Sequence, residues 1–134
     1  MLTKLFKKLF LIKEIKSKLG VLHFRRWRLV STPIFSVYIH NIYRADEDKY
    51  MHDHPWNYWA MILKGGYIEQ VKNGFNTKLP GSFGFKKAEN CHKIHHIIKP
   101  TTTLFITFRR RRDWGYHTEN GWIQHTFYRQ QKHN

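Results

Sequence analysis

The chain has 134 residues, enough for one domain with one real core. Apolar residues make up 41 % and aromatics 16 %, which excludes a disordered chain and suits strands around a cavity. Lys and Arg number 24 against 9 Asp and Glu, a net charge of +15 that calls for an anionic partner: a small anionic ligand, a nucleotide, nucleic acid or an acidic protein face.

At the N-terminus, Leu2, Leu5, Phe6, Leu9, Ile12 and Leu19 recur at helical spacing with lysines between them. This predicts a basic amphipathic helix over residues 2–18, stopped by Gly20, so that residues 1–20 form a helical arm and residues 21–134 one domain. Such a helix either caps the domain with its apolar face or docks on a partner. Its lysines break up any apolar run long enough for a signal peptide or a membrane span, so the chain reads as cytoplasmic. The single cysteine, Cys91, precludes an intrachain disulfide and agrees with a reducing compartment.

From Val21 onward the pattern is of short strands and turns. Phe35–Tyr43 alternates as a half-buried strand. Tyr58–Leu63 is an apolar run that Gly65-Gly66 is expected to end as a turn, and Tyr67–Val71 is the next strand. Asn73-Gly74 and Pro80-Gly81 are turns. Lys93–Ile98 and Thr103–Phe108 read as two strands separated by Pro100, and Trp122–Tyr128 as a last one. Strands at this spacing indicate an all-β sandwich or barrel.

The densest chemistry is His52-Asp53-His54. On a strand, residues two apart share a face, so both imidazoles can address one divalent metal ion, with Fe, Zn, Mn and Ni all open as its identity. His92 opens a later strand as a third ligand, and alternation places His96 on the same face. The competing reading is a set of histidines that hydrogen-bond one another and water. Asp53 alternates away from the metal.

These residues resemble the cupin superfamily. Its first motif is HxH, a short spacer, Glu, six residues and Gly; here His52, His54 and Gly65 stand in frame, with Tyr58 at the glutamate position. The second motif places Gly, a Pro-x-Gly turn, His and then Asn; Gly81 and His92 match, while Lys87, Glu89 and His96 replace Pro, Gly and Asn. The resemblance covers residues 35–110 and implies a cupin-type double-stranded β-helix, a jelly-roll barrel with a metal-capable pocket. The stretches His52–Trp56, Leu63–Glu69 and Trp114-Gly115 look like small cupin-like proteins of bacteriophage and bacterial genomes.

Three imidazoles without the usual carboxylate leave the metal's charge intact, which favours an anionic ligand. Glu69 either replaces that carboxylate, acts as a general base, orients a histidine, or is a surface residue paired with a cation. Tyr58 and Glu69 are the candidate catalytic groups. Arg109 to Arg112 form a basic run in which Arg109 and Arg111 share a face and can anchor an anion, while Trp56 and Trp114 can stack on it. The expected function is metal-dependent binding of a small anionic ligand, with enzymatic turnover (oxygenase, isomerase or hydrolase) left open. The alternatives are a non-catalytic phage protein that sequesters a nucleotide or binds nucleic acid, and a virion or assembly component; a homodimer is a further candidate assembly.

Overall fold

A computed structural model describes residues 11–133. Ten strands and one helix occur among them: β1 Leu11–Lys16, β2 Leu22–Ser31, β3 Phe35–Ile42, β4 Met51–His52, β5 Trp56–Val71, β6 Gly74–Lys78, β7 Phe83–Lys86, β8 His92–Arg110, β9 Gly115–Thr118, β10 Gly121–Gln124 and α1 His125–His133. All pairings are antiparallel. One path runs β1-β2-β3-β8-β4-β9-β10, and β5 pairs with β6, β7 and β8. The turn spacing left an all-β sandwich or barrel open; the barrel implied by the resemblance is the observed architecture.

The two longest strands, β5 and β8, run against each other along their whole length. Each serves two walls of the barrel, and each must bend to do so. The bends coincide at Gly65-Gly66 and Pro100, so neither pair ends its strand, contrary to the expectation for both. Gly65 has φ +86°, and a Cβ there would collide with the Pro100 carbonyl. The bend is closed by the buried Thr101 hydroxyl, which accepts from the Gly66 amide (3.0 Å) and lies 2.8 Å from the Lys99 carbonyl. Pro100 lacks an amide hydrogen, and the register skips from Lys64–Thr102 to Gly66–Lys99 around it.

Alternation sorts the side chains. Ile42, Ile62 and Tyr67 form the buried core, with Phe24, Ile94 and Ile97 packed on it. On the outside, Phe83, Met61, Leu104, Ile39 and Trp27 line up across β7, β5, β8, β3 and β2. The apolar strands are therefore two-sided, which explains why Tyr58–Leu63 is nearly continuous in hydrophobicity rather than alternating.

Two terminal expectations change. Residues 11–16 are strand β1, paired with β2 from Leu11–Trp27 to Lys16–Leu22, rather than the second half of a helix. Pairing with an open sheet edge satisfies backbone groups that helical propensity alone would have satisfied internally. Residues 2–10 of that expected helix lie outside the described residues. At the other end the strand stops at Gln124, whose side-chain carbonyl accepts from the Thr126 and Phe127 amides and starts α1.

Gly65→Ala is expected to destabilise the fold by about 1–3 kcal/mol or more through backbone strain and the clash at the bend. Gly20→Ala has φ +81° but open space, and should cost less. Urea denaturation of the two variants checks the order.

Candidate metal centre

Strand β4 is only two residues long, yet it is held on both sides. His52 pairs with His92 of β8 and with Tyr116 of β9. Beyond it the Asp53 amide donates to the Gly115 carbonyl and the His54 amide to the Ala88 carbonyl. The extended backbone continues, so His52 and His54 face inward and Asp53 outward. The His52, His54 and His92 rings then form a near-equilateral triangle, with centroids 5.3, 5.0 and 4.9 Å apart. Their donor nitrogens lie within 4.8 Å of one another.

Glu69 is buried on β5, at 3 % exposure, and its Oε1 lies 2.6 Å from His92 Nδ1. The surface-strand reading of Glu69 is thus replaced. Its carboxylate fixes the proton on Nδ1 and leaves Nε2 of His92 free for the cluster. Burial would raise the Glu69 carboxyl, but the His92 hydrogen bond and the His92, Lys86 and Lys78 charges outweigh it and bring it down. His52 is pulled down to about 3, first by desolvation and then by the His92 charge. Desolvation, followed by His92 and His52, also takes His54 well below the usual imidazole range. These two rings are neutral at pH 7, the form that binds metal. The buried Nδ1 of His54 has no hydrogen-bond partner, which is the atom a cation would satisfy. The donor set fits a divalent ion.

Tyr58 is buried with its ring edge-on to His54 at 4.6 Å and stacked on Phe105 at 4.6 Å. Desolvation, then the Glu69 charge, pushes its phenol well up, so it keeps its proton. Trp56 stacks on His54 at 5.1 Å, and Trp114 meets His52 edge-on at 6.1 Å. The cluster opens into a cavity of about 350 Å3 that Trp56, Tyr58, Glu69, Phe105 and His40 also line.

Several sequence-based candidates lie elsewhere. His96 is exposed and outside the cluster. The β5–β8 register skips His95, so the inward positions run His92, Ile94, Ile97 and alternation is reversed before His96. Arg109 and Arg111 are exposed and do not line the cavity, because β8 ends at Arg110 and the run leaves the barrel. Arg111 pairs with Glu89 at 2.9 Å. Cys91 stands outside the donor cluster, and desolvation pushes its thiol up, away from reactive thiolate character.

Two features escaped the sequence reading. The inward cations come from distant strands, including Lys13, Arg26, Lys78 and Lys86. Asp53, at 1 % exposure, is a structural hub behind the cluster. It accepts from the Gly115 amide (2.8 Å), His117 Nε2 (2.9 Å) and Trp122 Nε1 (2.9 Å) and forms an ion pair with Arg112 Nη1 (3.1 Å), which donates to the His54 carbonyl. Only the reversal between His52 and His54 hinted that Asp53 needed partners of its own.

Among solved structures, a cupin-2 domain protein from Rhodospirillum rubrum superposes with a TM-score of 0.64 at 15 % identity, over 83 % of this chain and 78 % of that one. The fold is a cupin barrel. A cupin-superfamily sugar phosphate isomerase from Silicibacter pomeroyi gives 0.54 at 16 % identity, over 75 % and 74 % of the two chains. The iron(II) protein HppE gives 0.58 at 16 % identity over 72 % of this chain, which spans 56 % of HppE. No family model and no curated protein matches the sequence. The cupin neighbours therefore include metalloenzymes and isomerases, and the histidine triangle is a candidate metal site within the same fold.

Asp53→Ala is expected to cost about 3–5 kcal/mol, since it strands Arg112 and three further donors; thermal denaturation measures it. Elsewhere on the cavity wall, desolvation, then Arg26 and Lys13, hold buried His40 well below the usual imidazole range. Between that value and about 6.5 the unfolded chain binds more protons than the folded one, so stability rises with pH. The contribution of neutral His40 is complete above about pH 6.5 and lost as pH falls below it. Melting temperatures measured across this range should fall on acidification, and less steeply in His40→Gln.

Proposed function

We propose that this chain is a metal-dependent cupin-type protein that holds a small organic anion against a divalent ion in its barrel cavity, with the groups needed for turnover in place. The observation that carries the reading is the triangle of His52, His54 and His92, braced by Glu69, on the wall of a 350 Å3 cavity. A cavity of that volume suits a single small metabolite better than a nucleic-acid strand.

His52, His54 and His92 would hold the ion. A bound iron, zinc, manganese or nickel ion would supply Lewis acidity at its open positions, and iron or manganese also redox chemistry. The chain's own groups do the rest. Glu69 keeps His92 in one tautomer and reaches the centre only through it. The neutral imidazoles add no negative charge, so an anionic ligand is the natural counter-charge. Tyr58 retains its proton beside His54 and can donate a hydrogen bond to a ligand oxygen. Trp56 and Phe105 cover the phenol and exclude water from this side of the cavity.

Elemental analysis of untagged protein is expected to find about one divalent ion per chain, consistent with one three-ligand site. The double variant His52→Ala/His54→Ala should lose it. Glu69→Gln should weaken metal affinity by about 10- to 100-fold through loss of orientation alone. Failure to take up metal after reconstitution with iron, zinc, manganese and nickel would remove this reading.

A further inference from the structure

One row of inward side chains crosses the barrel wall beside the apolar core, where Thr103 pairs with Ile62 and His40 meets Phe24. Lys13 of β1 pairs with Arg26 of β2, Arg26 with His40 of β3, and His40 with Thr103 of β8. All four line the same cavity as the histidine triangle. The connection is continuous in side-chain terms: His40 lies 4.6 Å from Phe105, Phe105 stacks on Tyr58, and Tyr58 meets His54.

Arg26 is held rigidly and, among the described residues, lacks a counter-charge. Its Nε donates to His40 Nε2 at 3.0 Å. Its guanidinium lies over the rings of Tyr38 and Phe24, at 5.2 and 5.8 Å. Among the described residues it has no carboxylate partner, and the first ten residues contain no Asp or Glu. The acidic groups that line the cavity are already engaged. Asp46 accepts from the Ile94 amide, Asp48 pairs with Lys132, Glu47 lies 3.6 Å from His23, and Glu69 holds His92. Since Nε is used by His40, the two terminal nitrogens of Arg26 remain as a fork suited to two oxygens of one oxyanion.

A second observation stands apart from charge. The Thr103 hydroxyl is buried, at 3 % exposure, and has no hydrogen-bond partner. An orphaned hydroxyl in a cavity wall costs stability unless something in the cavity satisfies it. It sits beside His40 in the same row.

We infer that Lys13, Arg26, His40 and Thr103 form an oxyanion subsite, separate from the metal centre, which receives a carboxylate or phosphate group of the cavity's ligand. Arg26 supplies the fork, Lys13 a second cation at the rim, and His40 holds the guanidinium in place by accepting from Nε. Thr103 takes a hydroxyl or carbonyl next to the anionic group. The ligand is therefore bifunctional: an oxyanion at this row and a metal-seeking oxygen at the histidines, with a short apolar span along Phe105. Burial weakens the charged form of Arg26, and partial desolvation with the Arg26 charge does the same for Lys13, as expected of cations awaiting an anion. The inference rests on reading the cavity as a ligand pocket, but not on metal being present.

The test is calorimetric titration of metal-stripped, full-length protein with succinate, succinamide and inorganic phosphate. Succinate or phosphate should bind and the uncharged diamide should not; whichever of the two anions binds more tightly assigns the group as carboxylate or phosphate. Arg26→Gln should weaken anion binding by about 10- to 100-fold, the range for losing a charge-assisted pair. Lys13→Gln and Thr103→Val should weaken it less, and their positions at the rim and as a near-isostere keep the test alive should Arg26→Gln fail to fold. Arg109→Gln, outside the cavity, should leave binding unchanged. Absence of anion binding, or equal loss in Arg26→Gln and Arg109→Gln, would overturn the subsite. The His52→Ala/His54→Ala variant separates the two readings: it should lose metal and keep the anion.

Discussion

Strands β5 and β8 run against each other from Trp56–Arg110 at one end to Val71–His92 at the other, and that ladder decides which side chains meet inside the barrel. It brings Glu69 alongside Ile94, one inward step from His92, and so makes the 2.6 Å contact possible. It brings Tyr58 opposite Thr107 and beside Phe105, under His54. Both strands are too long to stay straight around a barrel. The shared bend at Gly65 and Pro100, closed by Thr101, lets one pair of strands form both walls. A register error of one residue would turn every one of these groups to the outside.

The interior that results is polar by the standards of a small domain. Only a few apolar residues form its core, and the remaining space is lined by imidazoles, a phenol, a carboxylate and cations. Such an interior is stable only where its charges are paired or its titratable groups are neutral. Asp53 and Glu69 meet this condition through their donors. His52, His54 and His40 meet it by staying neutral. Arg26 and the Thr103 hydroxyl do not meet it from within the described residues, and the same is true of Nδ1 of His54. Of the buried side-chain atoms without a hydrogen-bond partner among the described residues, Nδ1 of His54 and Oε2 of Glu69 lie toward the histidine cluster and the Thr103 hydroxyl lies beside the Arg26–His40 row, while Nδ1 of His125 lies outside the cavity.

Placement of the cations separates what local pattern can reveal from what it cannot. The run Arg109–Arg112 is conspicuous in the sequence, yet most of it leaves the barrel, and the member that turns in, Arg112, binds Asp53. Arg26 sits in a second basic-aromatic cluster, Arg25-Arg26-Trp27-Arg28, whose inward member shows only because β2 lies between β1 and β3. Glu69 looked equally like a surface residue, since a single strand does not say which neighbour it will face. His96 was misplaced by a bulge at His95, and a bulge depends on the partner strand.

Turn residues, strand-forming runs and the His52-x-His54 spacing were determined by the sequence alone. They depend on steric preferences within a few residues: positive φ at glycine, fixed φ at proline, and the two-residue period of a strand. The all-β class and the shared face of His52 and His54 follow from those local rules, while the barrel came from the resemblance to cupin motifs, which also supported His92 as third ligand. The Glu69 brace on His92, the strand at 11–16 and the Lys13–Thr103 row were decided only in the tertiary structure. Each depends on register between strands far apart in the chain, where hydrogen-bond pairing and burial override local propensity.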